Sequence, residues 1–145
     1  MPVTDAEVAT LRALLSDDMA RYEQLFSQLD RTHARSGYTA LVAGGFCEAA
    51  ERRFGIDFQL ADVVAFVSEV RARSERLAAE VDPDTAERVI RTALGDGSVR
   101  DLSDAVLGGT QLVLLTGLIA DEHLDDAGLD AFLVDARKLA DQLMS

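Results

Sequence analysis

The most apolar run in the chain is Ala105–Ala120, AVLGGTQLVLLTGLIA. It is 16 residues long and holds three glycines, two threonines and a glutamine. A membrane-spanning helix needs about 20 mostly apolar residues. The flanks, Asp104 on one side and Asp121-Glu122 on the other, anchor poorly in a bilayer. A central helix in a soluble bundle needs the same composition, because its side chains meet neighbouring helices on most sides. The run therefore predicts a buried helix over about Ser103–Asp121, around which the rest of the chain packs, with no membrane contact.

Downstream, Asp121-Glu122-His123-Leu124-Asp125-Asp126 reads as an acidic turn in which Asp125 or Asp126 caps the next helix. That helix, about Asp126–Met144, carries Leu129, Phe132, Leu133, Ala136, Leu139, Ala140 and Leu143 on one face. Upstream, Gly95-Asp96-Gly97 is a glycine stop, and Ser98 and Asp101 suggest a further helix start. In Val81-Asp82-Pro83-Asp84, Asp82 reads as an N-cap and Pro83 as the first helical residue, whose missing N–H is harmless there. A helix over about Pro83–Leu94 follows. Two earlier helices are expected over about Tyr38–Arg53 and Leu60–Glu80. No segment alternates long enough to argue for a strand.

The N-terminal segment opens with Thr4-Asp5-Ala6-Glu7, a capping box. Val8, Leu11, Leu15, Met19, Tyr22, Phe26 and Leu29 follow in steps of three and four. That stripe predicts one long helix, about Asp5–Ala34, ended by Ser36-Gly37. Leu11, Leu15, Met19, Tyr22 and Phe26 are candidate interface residues, either between two copies of the chain or within its own bundle. The expected fold is all-α: one domain, residues 1–145, of five or six helices, with a helical core over about 38–144 behind the long first helix.

Two segments resemble each other. Leu41-Val-Ala-Gly44-Gly45 matches Ala105-Val-Leu-Gly108-Gly109, and Ala65-Phe66-Val67-Ser68-Glu69-Val70-Arg71 matches Ala131-Phe132-Leu133-Val134-Asp135-Ala136-Arg137. The offset grows from 64 to 66, so a two-residue insertion is needed. The match suggests two similar helical hairpins about a pseudo-twofold axis. Glycine inside a helix costs about 1 kcal/mol relative to alanine. Gly44, Gly45, Gly108 and Gly109 are therefore expected at tight helix crossings, where a missing Cβ lets a neighbour approach. They lie inside apolar helical runs, whereas phosphate-binding glycines belong to a loop before a helix.

The remaining candidates are weak in chemical terms. Asp121, Glu122, His123 and Asp125 could ligate a metal, but they lack the alternating spacing of a calcium loop and the histidine pair of a zinc helix. The expectation is no metal and no cofactor. His33 and His123 are 90 residues apart, without a neighbouring nucleophile. Cys47 reads as a buried, inert thiol, and as the only cysteine it excludes an internal disulfide. Arg52, Arg53, Arg71, Arg73 and Arg76 form the one basic concentration, read as a solvated, salt-bridged face. Tyr38, Phe46, Phe54, Phe58 and Phe66 gather five of the eight aromatics in one stretch.

Charge completes the reading. The net charge is −12, and residues 101–145 alone carry nine acids against two bases. Such a chain is a poor partner for nucleic acid. It attracts basic partners at long range. The start of the sequence lacks the pattern of a signal peptide, so a cytoplasmic location is expected. The expected function is non-enzymatic: an acidic protein–protein interaction or regulatory module, acting as a homodimer or on a basic partner in the manner of an inhibitor or immunity protein. The alternative is a small-molecule-binding helical domain whose pocket uses the aromatics of residues 38–66.

Overall fold

The computed structural model describes residues 2–29 and 34–144. They form eight helices: α1 (Asp5–Leu15), α2 (Met19–Gln28), α3 (Ala34–Phe54), α4 (Leu60–Ala72), α5 (Glu75–Glu80), α6 (Pro83–Ala93), α7 (Asp104–Glu122) and α8 (Asp126–Met144). Among the described residues there is no strand, so the all-α expectation holds, with eight helices in place of five or six.

Most helix starts follow the side-chain chemistry. The Thr4 hydroxyl accepts from the Glu7 amide while Glu7 Oε1 accepts from the Thr4 amide at 2.8 Å, closing the capping box of α1. Asp82 caps α6 by accepting from the Thr85 amide, with Pro83 in the first turn, and Ser103 caps α7 through the Val106 amide. Ser98 and Asp101 start no helix; they lie in turns before Ser103. The extra helices come from two breaks. Asp17 takes a left-handed φ of 60° and Asp18 caps α2, so the expected long helix divides at Ser16-Asp17-Asp18. Local bonding by aspartate competes there with helix continuation. Ser74 caps α5 through the Leu77 amide and divides the expected 60–80 helix in the same way. Ser36-Gly37, expected as a stop, lies inside α3. Gly37 is needed there for a different reason: a Cβ at this position would collide with the buried Glu7 carboxyl.

The hub of the bundle is α3, which packs against α1, α6, α7 and α8. Phe46 of α3, Phe66 of α4 and Phe132 of α8 are fully buried beside Leu41, Ile90 and Leu114. Each buried phenylalanine contributes about 1.5–3 kcal/mol. The apolar helix α7 is only half a core helix. Leu114, Leu115, Leu118 and Ile119 are buried, whereas Ala105, Val106 and Gly109 are exposed. Among the described residues, α7 alone is long and apolar enough to cross a membrane, by length and composition.

Arginines tie the helix entrances together. Arg137 of α8 donates to Val3 O at 2.6 Å, just before the α1 cap. Arg71 of α4 donates to Val81 O at 2.9 Å, just before the α6 cap. Both valines are buried. Arg52 lies over the Phe132 ring at 5.0 Å and Arg53 over the Phe66 ring at 5.3 Å. Guanidinium groups over aromatic faces contribute about 0.5–1 kcal/mol at partly exposed sites.

Candidate functional site

The two glycine pairs have different surroundings. A Cβ built on Gly44 would stand 2.8 Å from both Ala136 O and Ala140 N, the backbone of α8. On Gly45 it would meet Leu115 Cδ2 at 3.4 Å and Ala136 Cβ at 3.6 Å. On Gly108 or Gly109 it would meet nothing within 4 Å among the described residues. The expected helix crossing is therefore absent at Gly108 and Gly109. Among the described residues no helix lies against them; they line a cleft.

That cleft, about 480 Å³, lies between α2, the first half of α3 and the first half of α7. Tyr22, Phe26, Ser27 and Leu29 line it from α2 and its end, Tyr38, Thr39 and Val42 from α3, and Gly108, Gly109 and Leu112 from α7. Its size falls within the roughly 300–1,000 Å³ of small-molecule sites, which are mostly apolar with a few placed polar groups. The aromatic wall is ordered by its own contacts. Phe26 meets Tyr38 edge-on at 5.7 Å and 76°, and Tyr22 at 5.6 Å and 36°. The Tyr38 hydroxyl donates to the Tyr22 hydroxyl over 3.4 Å. Burial pushes the Tyr38 phenol well above its usual pKa, and the contact with Tyr22 adds to the shift. Among the described residues, the lining contains no charged side chain.

The expected interface stripe is split by the α1–α2 break. Leu11 is wholly buried in the chain's own core and so cannot lie on a surface between copies. Leu15 is partly buried against the same core. Tyr22 and Phe26 face the cleft, and Met19 and Phe26 are 45% and 39% exposed. Of the five aromatics expected around a pocket, only Tyr38 lines this one. Phe46 and Phe66 are core residues, Phe54 stacks edge-on to Phe66 at 5.9 Å, and Phe58 packs on the core.

The acidic turn is committed elsewhere. Asp121 accepts from Arg73 at 2.7 Å and pairs with Arg53 at 3.2 Å, and Glu122 pairs with Arg52 at 3.5 Å. Asp125 accepts from the Gly128 amide at 2.7 Å, and His123 ends α7 at a φ of 51°. Among the described residues, no three His, Cys, Asp or Glu side chains are grouped to hold a metal. Asp126 and Asp130 pair with Arg12, Asp135 with Arg52 and Asp101 with Arg88. Asp141 accepts from the Val3 amide at 2.8 Å. Eight of the nine acidic side chains of residues 101–145 thus hold other parts of the chain. Cys47 is half-buried, and burial pushes its thiol pKa up, with Glu51 adding to the effect. His33 lies outside the described residues. Glu7 is buried at 1% exposure, and among the described residues its Oε2 has no hydrogen-bond partner.

No family model, no curated protein and no solved structure matches the chain. The site therefore has to be read from its own geometry. The sequence reading missed Ser27, Thr39, Val42 and Leu112 as cleft residues. The available signal was Ser16-Asp17-Asp18, a helix restart that turns Tyr22 and Phe26 from a continuous seam into one wall of a cleft.

Proposed function

We propose that the protein is a non-enzymatic binding protein whose cleft between α2, α3 and α7 takes up an apolar guest. The carrying observation is the cleft, whose lining among the described residues is aromatic and without charge, with no described atom close to its two glycines. The acidic C-terminal third argues in the same direction. Its carboxylates are spent on arginines and amides of the same chain, which weakens the case for a bare acidic face offered to a basic partner. Titration with the neutral dye N-phenyl-1-naphthylamine tests the reading. Its fluorescence is expected to rise with the wild-type protein at tens of micromolar. Gly109→Leu, which fills the cleft from the open side of α7, is expected to abolish the rise without loss of helicity. No rise with wild type, or the same rise with the variant, overturns the proposal.

A second reading is an interaction module that docks a protein, including a second copy of the chain, over the same mouth. Exposed Met19, Phe26 and Val106 favour it. Sedimentation at rising concentration, with and without Met19→Glu, separates it from the first.

We also infer that α3–α4 and α7–α8 are related helix pairs, whose members pack across pairs, α3 on α8, and not as hairpins. The support is reciprocal: Arg71 of one holds the entrance of α6, and Arg137 of the other holds the entrance of α1. A cytoplasmic location fits a chain of this charge and is proposed with it.

A further inference from the structure

Resting on the cleft reading above, we propose that the guest is a neutral, flat aromatic molecule bearing a hydrogen-bond acceptor such as a carbonyl oxygen. Three features of the cleft select it.

The first is shape. One wall is the Tyr22–Phe26–Tyr38 aromatic group. Another includes Gly108 and Gly109, where backbone is bare of side chains. A ring can stack between an aromatic face and a bare helical backbone, whereas a branched or bulky guest gains nothing from a missing Cβ. Aromatic pairs in offset or edge-on geometry contribute beyond the area they bury.

The second is charge. Among the described residues the lining offers Tyr22, Tyr38, Ser27 and Thr39 hydroxyls and no ionised group. An ionised guest would lose its hydration without gaining a counter-charge.

The third is the hydroxyl pair. Two phenols sharing one hydrogen bond over 3.4 Å use one proton between them, whichever donates. The other O–H remains to donate to a third group. A guest acceptor at the cleft satisfies it, and both phenols are protonated in neutral solution as any tyrosine is.

The test is displacement of bound N-phenyl-1-naphthylamine by three probes of one ring system: 2-acetylnaphthalene, naphthalene and 2-naphthoate. A neutral hydrogen bond changes affinity by about 2- to 12-fold. 2-Acetylnaphthalene is expected to displace the dye at a concentration lower than naphthalene by that factor, with 2-naphthoate the weakest. In the double variant Tyr22→Phe/Tyr38→Phe, which removes both phenol donors, the ratio between the first two is expected to fall to one. Equal displacement by naphthalene and 2-acetylnaphthalene in wild type, or a ratio that survives in the double variant, overturns the acceptor. Strongest displacement by 2-naphthoate overturns neutrality. Each of these leaves the cleft reading standing, because that reading fails only if the dye does not bind or binds Gly109→Leu equally well.

Discussion

Gly44-Gly45 on α3 and Gly108-Gly109 on α7 are the same dipeptide in similar apolar runs, yet one pair is pressed against a neighbouring helix and the other faces open space. The difference lies in the partner helices. The helix α8 continues to Met144 and lays Ala136 and Ala140 across Gly44. In the repeat alignment α4 is its counterpart, but α4 meets α7 further along, where Phe66 and Val70 face Gly117 and Arg73 pairs with Asp121. What glycine does in a helix is thus set by where the facing element crosses it. A seam forms in one half and a cleft in the other.

Alanine substitution should pull the two pairs apart. Gly44→Ala is expected to have the largest effect. The new methyl meets main-chain atoms that cannot swing aside as a side-chain end can, and overpacking of this sort costs about 1–3 kcal/mol even after better helix propensity is counted. A lower urea midpoint with an unchanged slope would establish it; a wild-type midpoint would mean that the α3–α8 seam is looser than its geometry. Gly109→Ala should go the other way. Nothing opposes the methyl, so the propensity gain of about 1 kcal/mol is retained. A rise of about 2–4 °C in Tm is expected for a chain of this size, and a fall would mean that a helix covers this face in solution. Gly45→Ala should be the smallest of the three, within about 0.5 kcal/mol. Its nearest neighbour is the end of the flexible Leu115 side chain at 3.4 Å, and this small strain offsets the propensity gain.

Alkaline pH gives a fourth contrast, absent at neutral pH. The Tyr38 phenol is raised in the folded chain, so the folded state holds its proton longer than the unfolded state does. The associated stability is complete below the ordinary phenol value of about 10 and is lost as pH rises beyond it. Dye binding should weaken over the same range, and Tyr38→Phe should remove both dependences. A wild-type pH profile in that variant would show that Tyr38 does not govern the cleft.

Much of this was legible in sequence. Caps at Thr4, Asp82 and Ser103 and the apolar faces of α6 and α8 specify the helices locally, because the residues that form the cap also end the competing conformations. The long first helix failed at Asp17-Asp18. There an unbroken hydrophobic period coincided with two residues that prefer to bond their own backbone, and the period was the weaker signal. The cleft was less legible still. Tyr22 and Phe26 were visible as an apolar stripe and Gly108-Gly109 as a packing motif, but that they face one another depends on where α2 turns and on where α7 crosses α3. Neither is a local property.

The helix α2 has no buried residue, although Tyr22 and Leu29 rest against the core. A segment with so little held inside opens for a fraction of the global unfolding free energy. Under the proposed function, guest exchange would be kinetically decoupled from the bundle. Amides of Met19–Gln28 should trade hydrogen for deuterium long before those of α3 and α8, and a bound guest should slow that trade in α2 while leaving the rest untouched. How fast the cleft fills and how firmly the protein folds would then be separate quantities, the first set by the ten-residue helix that follows Asp17 and Asp18.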